Sequence, residues 1–418
     1  MRSLMSTDND NFLPENEPNN LPVYLVQLNT SPLTSGALRW NVWRKGKGLI
    51  RSLSRLLLVV LLVPVPAYAE QYFLYVGSYT HGKSKGIYAW AFDSKDGSLK
   101  SLGLMAETPQ PIHLWFAPNG KTLYAVNGEK DGGISAFHAD QHTGALTFLN
   151  KTSSHGAQPN QVVVDPSGRV AVAVNYTGGT LAAYKLEPDG KLGEAFYVDQ
   201  HTGKPLSPKQ HGSIQHGIQF SKNDKYMYIA DLGLDRVYSY HFDASVPSIT
   251  PCDLQYVSTH ASAGPRRIQM SPEGRFLYVD HATDSEVSVY TIDGCSLKEI
   301  QVIGTVPDLA KAHNTTAELL ISADGKFLYV GNQGHDTVSV FAVDKRTGVL
   351  TLKENVPSGG RIPRNLRIDP SGNWFFVANW NGGNVTEFKI DRRSGHLTPT
   401  GITAAIDTPG GLYFLKAK

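Results

Sequence analysis

A unit of about fifty residues recurs along this chain, and no other feature narrows its possible folds so far. One copy reads Asp165-Pro166-Ser167-Gly168-Arg169, then an apolar stretch from Val170 to Val174, then Asn175. A second starts at Ala117-Pro118-Asn119-Gly120-Lys121 and ends at Asn127. The others begin at Ser221, Ser271, Ser322 and Asp369, and close at Asp231, His281, Asn332 and Asn379. The turn glycine, or Asp224 in its place, falls at 120, 168, 224, 274, 325 and 372, with spacings of 48, 56, 50, 51 and 47.

Each unit has the same local physics. An apolar strand enters a turn with Pro early and Gly late, as type I turns prefer. A second strand rich in Val, Tyr, Phe and Leu leaves it. A third strand follows, such as Val338–Val343, then a Thr-Gly turn (Thr143-Gly144, Thr347-Gly348) and a short fourth strand. Four strands per unit with almost no helical pattern predicts an all-β fold of propeller blades. Six units are complete. A seventh is split between the ends: Phe73-Leu74-Tyr75-Val76-Gly77 matches a second strand, and Pro409-Gly410-Gly411-Leu412-Tyr413-Phe414 a first strand. The expectation is a seven-bladed β-propeller in one domain, 70–418, whose closing blade takes its inner strand from the C-terminus.

The 69 residues before the repeat read differently. Residues 1–50 are polar and aperiodic; they are assigned no function, as an unstructured leader or as sequence preceding the true start of translation. A basic flank follows (Arg44, Lys45, Lys47, Arg51, Arg55), then an apolar run from Leu56 to Val65 and the cleavage pattern Ala67-Tyr68-Ala69. This is the three-part pattern of a signal peptide, placed at 51–69, and the run is shorter than the ~20 apolar residues of a membrane span. Export to the periplasm or outside the cell is expected, leaving Glu70 first. The charge balance depends on this cut. The whole chain is +2, but 7 of its 39 basic and 4 of its 37 acidic residues lie in 1–69, so the remainder carries 32 against 33. That balance gives no electrostatic case for nucleic acid. In an oxidising compartment Cys252 and Cys295 could pair. They occupy similar points of successive units, so whether one blade's separation fits the ~4.4–6.8 Å between Cα atoms of a disulfide stays open.

Several motifs are specific beyond the repeat: Pro159-Asn160-Gln161-Val162, Asn175-Tyr176-Thr177-Gly178-Gly179, Asp231-Leu232-Gly233-Leu234-Asp235-Arg236-Val237, Gly264-Pro265-Arg266, Ala317-Glu318, Gly334-His335-Asp336 and Gly359-Gly360-Arg361-Ile362-Pro363-Arg364. In these the chain resembles the seven-bladed propeller lactonases, which include 6-phosphogluconolactonases and the fungal carboxymuconate-lactonising enzymes, over about residues 72–415. The resemblance implies hydrolysis of a sugar-acid lactone. The chain departs from the family pattern at four places. Ile214-Gln215-His216 stands for His-x-His, Arg267 for the histidine of Gly-Pro-Arg-His, His281-Ala282 for Asn-Glu, and Gln333 for an arginine. A WD-type propeller is a poor match, for there is no Trp-Asp pair and the period is too long.

Strand geometry locates a site independently. The Pro/Gly turns share one face of the ring, so the starts of first strands and the ends of second strands share the other. That mouth collects His113, Gln161, His216, Arg266, Glu318 and Arg364 from the first strands, and Asn127, Asn175, Asp231, His281, Asn332 and Asn379 from the second. Lactone hydrolysis needs a base to activate water and cations to hold the oxyanion. Arg266 and Arg364 are expected to supply the positive charge, and His216 or Glu318 the base. His113, Gln161, Asn175, Arg267, His281 and His335 are expected as substrate contacts. The asparagines ending second strands are also candidates for fixing their own turns, and Asp231, Asp235 and Arg236 for a local salt bridge. Calcium would want clustered oxygens, but the mouth offers Asp231 and Glu318 beside two arginines, so no metal and no cofactor is expected. No Gly-x-Ser-x-Gly elbow, dinucleotide fingerprint or P-loop occurs. The reading is a monomeric exported lactonase acting on a small lactone. The alternative is a non-catalytic exported propeller that binds a sugar acid, a peptide or a surface protein.

Overall fold

The computed structural model describes residues 70–207, 210 and 212–418. The leader read at 1–50 and the signal peptide read at 51–69 lie outside the described residues. Among the described residues are seven four-stranded antiparallel sheets and a single four-residue helix, Asp308–Lys311. No helix among them is long and apolar enough to cross a membrane.

The first blade pairs Pro409–Lys416 with Gln71–Ser78, then Gly86–Asp93 and Leu99–Glu107, so the ring is closed by both ends of the described chain, as expected. The innermost strands of blades two to seven are Pro111–Phe116, Ala157–Val164, Gln215–Phe220, Pro265–Met270, Thr315–Ile321 and Pro363–Ile368. Each abuts the next around the axis. The register explains the mouth. Pro111 faces Asn127, Pro159 faces Asn175, Gln215 faces Asp231, Pro265 faces His281, Thr316 faces Asn332 and Pro363 faces Asn379.

The repeat is legible in its turns. The side chain that opens a turn accepts backbone N–H groups at its far end. Asp165 Oδ1 takes those of Arg169 and Val170, Ser271 Oγ those of Arg275 and Phe276, and Asp369 Oδ1 those of Asn373 and Trp374. The fourth residue of the turn has positive φ, at +76° for Gly274 and +56° for Asp224, which is why glycine or aspartate stands there.

Blades are tied by a second recurring device. In five blades a tyrosine hydroxyl of the second strand crosses to the next blade's outer turn. Tyr75 donates to Gly144 O, Tyr124 to Gly190 O, Tyr228 to Gly294 O, Tyr278 to Gly348 O and Tyr329 to Gly395 O, at 2.7–3.2 Å. The apolar cores lie between blades. Tyr278, Val287 and Val289 of the fifth pack on Leu319, Leu328 and Phe341 of the sixth. Such interfaces make a ring in which each blade is stabilised by its neighbours.

Cys252 and Cys295 are joined in a disulfide, with Cα atoms 6.0 Å apart. The question left open by their position is thereby answered: one blade's separation at the rim is within reach of the bond.

Candidate functional site

The innermost strands carry an unusual load of charge for a core. Arg266, Arg267 and Glu318 are each at most 6% exposed, and His113 and His216 are also buried. The fold makes room for them because seven strand starts converge on an axis that no main chain fills. Around it stand four guanidinium groups, Arg266, Arg267, Arg364 and Arg367, against the carboxylates of Asp280 and Glu318. Arg267 Nε lies 3.5 Å from Glu318 Oε2, and Asn365 Nδ2 donates to the same oxygen at 2.7 Å. The backbone N–H of Arg267 donates to Asp280 Oδ1, and its Nη1 to His216 O at 3.3 Å. Arg364 Nε donates to Tyr79 Oη at 3.1 Å.

This crowd of charge tunes the titrating groups. Burial lowers His216 well below the ordinary histidine range, and the cations of Arg266, Arg267 and Arg364 push it further the same way. His113 is lowered well below that range by burial, then by Arg267 and Arg367. Both imidazoles are therefore neutral at pH 7. Burial raises Glu318 and Asp280, while the arginines oppose the rise. Burial and the neighbouring guanidinium groups of Arg364 and Arg267 lower Arg266, and Asp280 and Glu318 resist this, so it stays a cation at neutral pH. His216 Nδ1 and Arg266 Nη1 are buried polar atoms without a hydrogen-bond partner. Two groups suited to base and oxyanion chemistry thus have hydrogen-bonding capacity to spare.

Above this column a pocket of about 470 Å³ is lined by Tyr79, Arg361, Arg364 and Trp380 among others. The Tyr79 and Trp380 ring centroids stand 5.5 Å apart with their planes 56° from parallel, an angled aromatic wall beside two guanidinium groups. Cavities of about 550–570 Å³ open on the turn face. Larger volume does not make those the site, because none of them is lined by His113, His216, Arg266, Arg267, Glu318 or Arg364. Only Arg367, reaching down the channel, links one of them to the charged column.

The structure gathers His113, His216, Arg266, Glu318 and Arg364 from the starts of first strands, and Arg267 stands with them. Gln161 stands at the axis, where its Oε1 accepts the N–H of Ile218 and joins two innermost strands. Asn175 spends its amide on Ser154 O and on Thr180. The asparagines that end second strands thus tie the loop entering the blade as well as their own turn. His335 Nδ1 bonds Thr337 Oγ1 at 2.8 Å, and its backbone N–H bonds Asn314 Oδ1. His281 is buried beside His260 and Asp284. One expectation changes. The local salt bridge is not formed. Arg236 lies 4.1 Å over the Tyr256 ring, while Asp231 accepts from His201, Ser213 and Ile214, and Asp235 from Ser262 and Gly264. An ion pair between inner strands joins Arg267 to Glu318, and neither it nor its orienting partners Asn365 and Asp280 is legible in the sequence. Both sit inside strands, where a period-two pattern marks them only as inward-facing.

The sequence pattern of the family described as "Lactonase, 7-bladed beta-propeller" matches residues 73–414. The chain belongs to that family. A 6-phosphogluconolactonase of Bacillus subtilis is 31% identical over 306 residues, 72% of this chain and 86% of the relative. One from Formosa agariphila is 29% identical over 307 residues, covering 71% and 86%. Among solved structures, the periplasmic gluconolactonase of Pseudomonas aeruginosa superimposes with a TM-score of 0.79 at 30% identity, over 83% of this chain and all of that one. The protein is a lactonase, a hydrolase of cyclic esters with a small-molecule substrate.

Proposed function

We propose that this lactonase opens an unphosphorylated sugar-acid lactone of the gluconolactone type, with His216 as the base and Arg266, Arg267 and Arg364 as the oxyanion clamp. The observation that carries the reading is the excess of positive charge, four guanidinium groups to two carboxylates, in a column around the axis whose Arg364 also lines a pocket walled by Tyr79 and Trp380. Such a site is under-neutralised until negative charge appears in it, as it does when water adds to a carbonyl. The neutral His216 imidazole takes a proton from the attacking water. Its oxygen bonds to the carbonyl carbon, and the charge on the carbonyl oxygen falls to the arginines. The imidazolium, unstable among three cations, returns the proton to the ring oxygen as the ester C–O bond breaks. Glu318 positions Arg267 rather than acting on water, since its Oε2 is already shared by Arg267 and Asn365.

The substrate class is supported by the export signal read at 51–69 and by the disulfide, which suits an oxidising compartment. Phosphorylated sugar acids belong to the cytoplasm. The Pseudomonas relative, named a periplasmic gluconolactonase, agrees with this reading. Stopped pH-stat assays near neutral pH test it. Gluconolactone opening should exceed the spontaneous rate and should exceed that of the 6-phospho lactone. Arg266→Ala should remove ~10²–10³-fold of kcat. No acceleration over a panel of lactones, with capture of a partner, would favour the non-catalytic alternative.

A further inference from the structure

We propose that His260, His281, Asp284 and Glu286 form a binding site for a divalent cation of the zinc class on the mouth side of the fifth blade. One ligand atom from each of the four lies within 4.8 Å of all the others. His281 Nδ1 is 3.5 Å from Asp284 Oδ1, and His260 Nε2 is 3.8 Å from Glu286 Oε2 and in direct contact with Asp284 Oδ2. A tetrahedral site with bonds of ~2.0–2.1 Å needs donors about 3.3 Å apart, so small side-chain rotations suffice.

The argument that these residues await a ligand comes from His281. At the other five blades read from second-strand ends, the residue there is Asn127, Asn175, Asp231, Asn332 or Asn379, each hydrogen-bonded into its surroundings. His281 alone is an imidazole. It is fully buried, yet neither ring nitrogen has a hydrogen-bond partner. Burying an unpaired polar ring is costly, and a metal bond to Nδ1, the nitrogen 3.5 Å from Asp284 Oδ1, satisfies one of its two nitrogens.

The surroundings are pre-organised. Ala282 N–H bonds Gly264 O and Thr283 N–H bonds Ala263 O, which locks the loop carrying His260 to the loop carrying Asp284. Asp235 pins the first loop through the N–H groups of Ser262 and Gly264. Lys311 Nζ donates to Glu286 Oε1 at 2.9 Å, which holds that carboxylate with its other oxygen turned to His260. Two imidazole nitrogens and two carboxylates make a donor set that suits a dication. The mixed nitrogen and oxygen set suits zinc and disfavours calcium and magnesium, which prefer oxygen alone.

The test is calorimetric titration of the full chain, stripped by EDTA, with Zn²⁺, and in parallel with Ca²⁺. Wild type should take up one Zn²⁺ saturably and no Ca²⁺, and Co²⁺ in its place should show the visible d–d bands of a tetrahedral site. His281→Asn installs the residue of four sister blades, so the fold should survive. Zn²⁺ affinity should fall by more than the ~10–100-fold that losing an outer-shell partner costs. Should that variant fold poorly, His260→Ala, at an exposed position, must show the same loss. Absence of saturable Zn²⁺ uptake by the wild type, or uptake unchanged in His281→Asn and His260→Ala, overturns the proposal.

Discussion

Burial and three guanidinium groups act on His216 in the same direction, and that makes its role measurable. Its protonated form is disfavoured, so the imidazole stays neutral below the pH at which an ordinary histidine, near 6.5, would protonate. If His216 is the base, kcat/KM should hold level as pH falls from 7 to 6, with the acid limb lying lower. Arg364→Gln removes one of the three cations, which makes the imidazolium less unfavourable. The folded-state pKa rises, and the acid limb should move up toward 6.5 even though the overall rate falls. A limb that stays in place across wild type and variant would assign the base elsewhere. The residues behind this behaviour were partly legible in the sequence. Arg266 and His216 could be found because they stand near strand starts beside a Pro or Gly, and Glu318 because it falls at the matching point of its own unit. Arg367, Asp280 and Asn365 could not, because mid-strand polar residues reveal that they face inward but not what they meet. The His260–Glu286 group escaped for another reason. Its members come from two loops whose approach depends on backbone bonds between Gly264 and Ala282.

Among the elements, the outer Thr-Gly turns read as simple reversals, but their glycines also form the contact between blades. A Cβ on Gly348 would sit 2.4 Å from Phe276 Cδ1, and one on Gly395 would sit 2.4 Å from Phe327 Cδ1. In the fifth and sixth blades the phenylalanine that begins the second strand, Phe276 or Phe327, packs against the next blade's turn glycine, and the tyrosine two residues on bonds that glycine's carbonyl. Repeat periodicity announced the turn, while the need for a missing side chain appears only when the neighbouring blade is in place. A matched pair of substitutions separates the two demands. Gly348 and Gly372 have φ of +79° and +74°, but a Cβ on Gly372 meets nothing within 4 Å. Alanine at either should cost ~1–2 kcal/mol for the left-handed backbone. Gly348→Ala should lose a further ~1–3 kcal/mol from overpacking against Phe276. Thermal melts of the two variants check this. Equal Tm values would mean that the ring contact yields freely.

The whole molecule was the most legible level, because seven copies of one pattern average out local ambiguity and the two unmatched ends complete each other. Closure of the first blade depends on strand pairing between Pro409–Lys416 and Gln71–Ser78. The covalent link stands elsewhere: Cys252–Cys295 joins the outer rims of blades four and five, a sequence separation of 43 residues. Periodicity placed the cysteines at like points of adjacent units. It could not show their approach, because inter-blade distance varies with radius and with the path of each outer strand. The bond restrains the unfolded chain, by ~4 kcal/mol in the chain-entropy account for a loop of this length. A domain of about 350 residues has an unfolding entropy near 0.7 kcal/mol/K, so reduction should lower Tm by roughly 5 °C. The fold should remain, since the tyrosine tethers and the apolar inter-blade cores do not involve either sulfur. Thiol titration of the denatured, unreduced protein should find no free thiol, and two after reductant. Two thiols without reductant, or an unchanged Tm after their release, would remove the disulfide from the account of what holds the ring together.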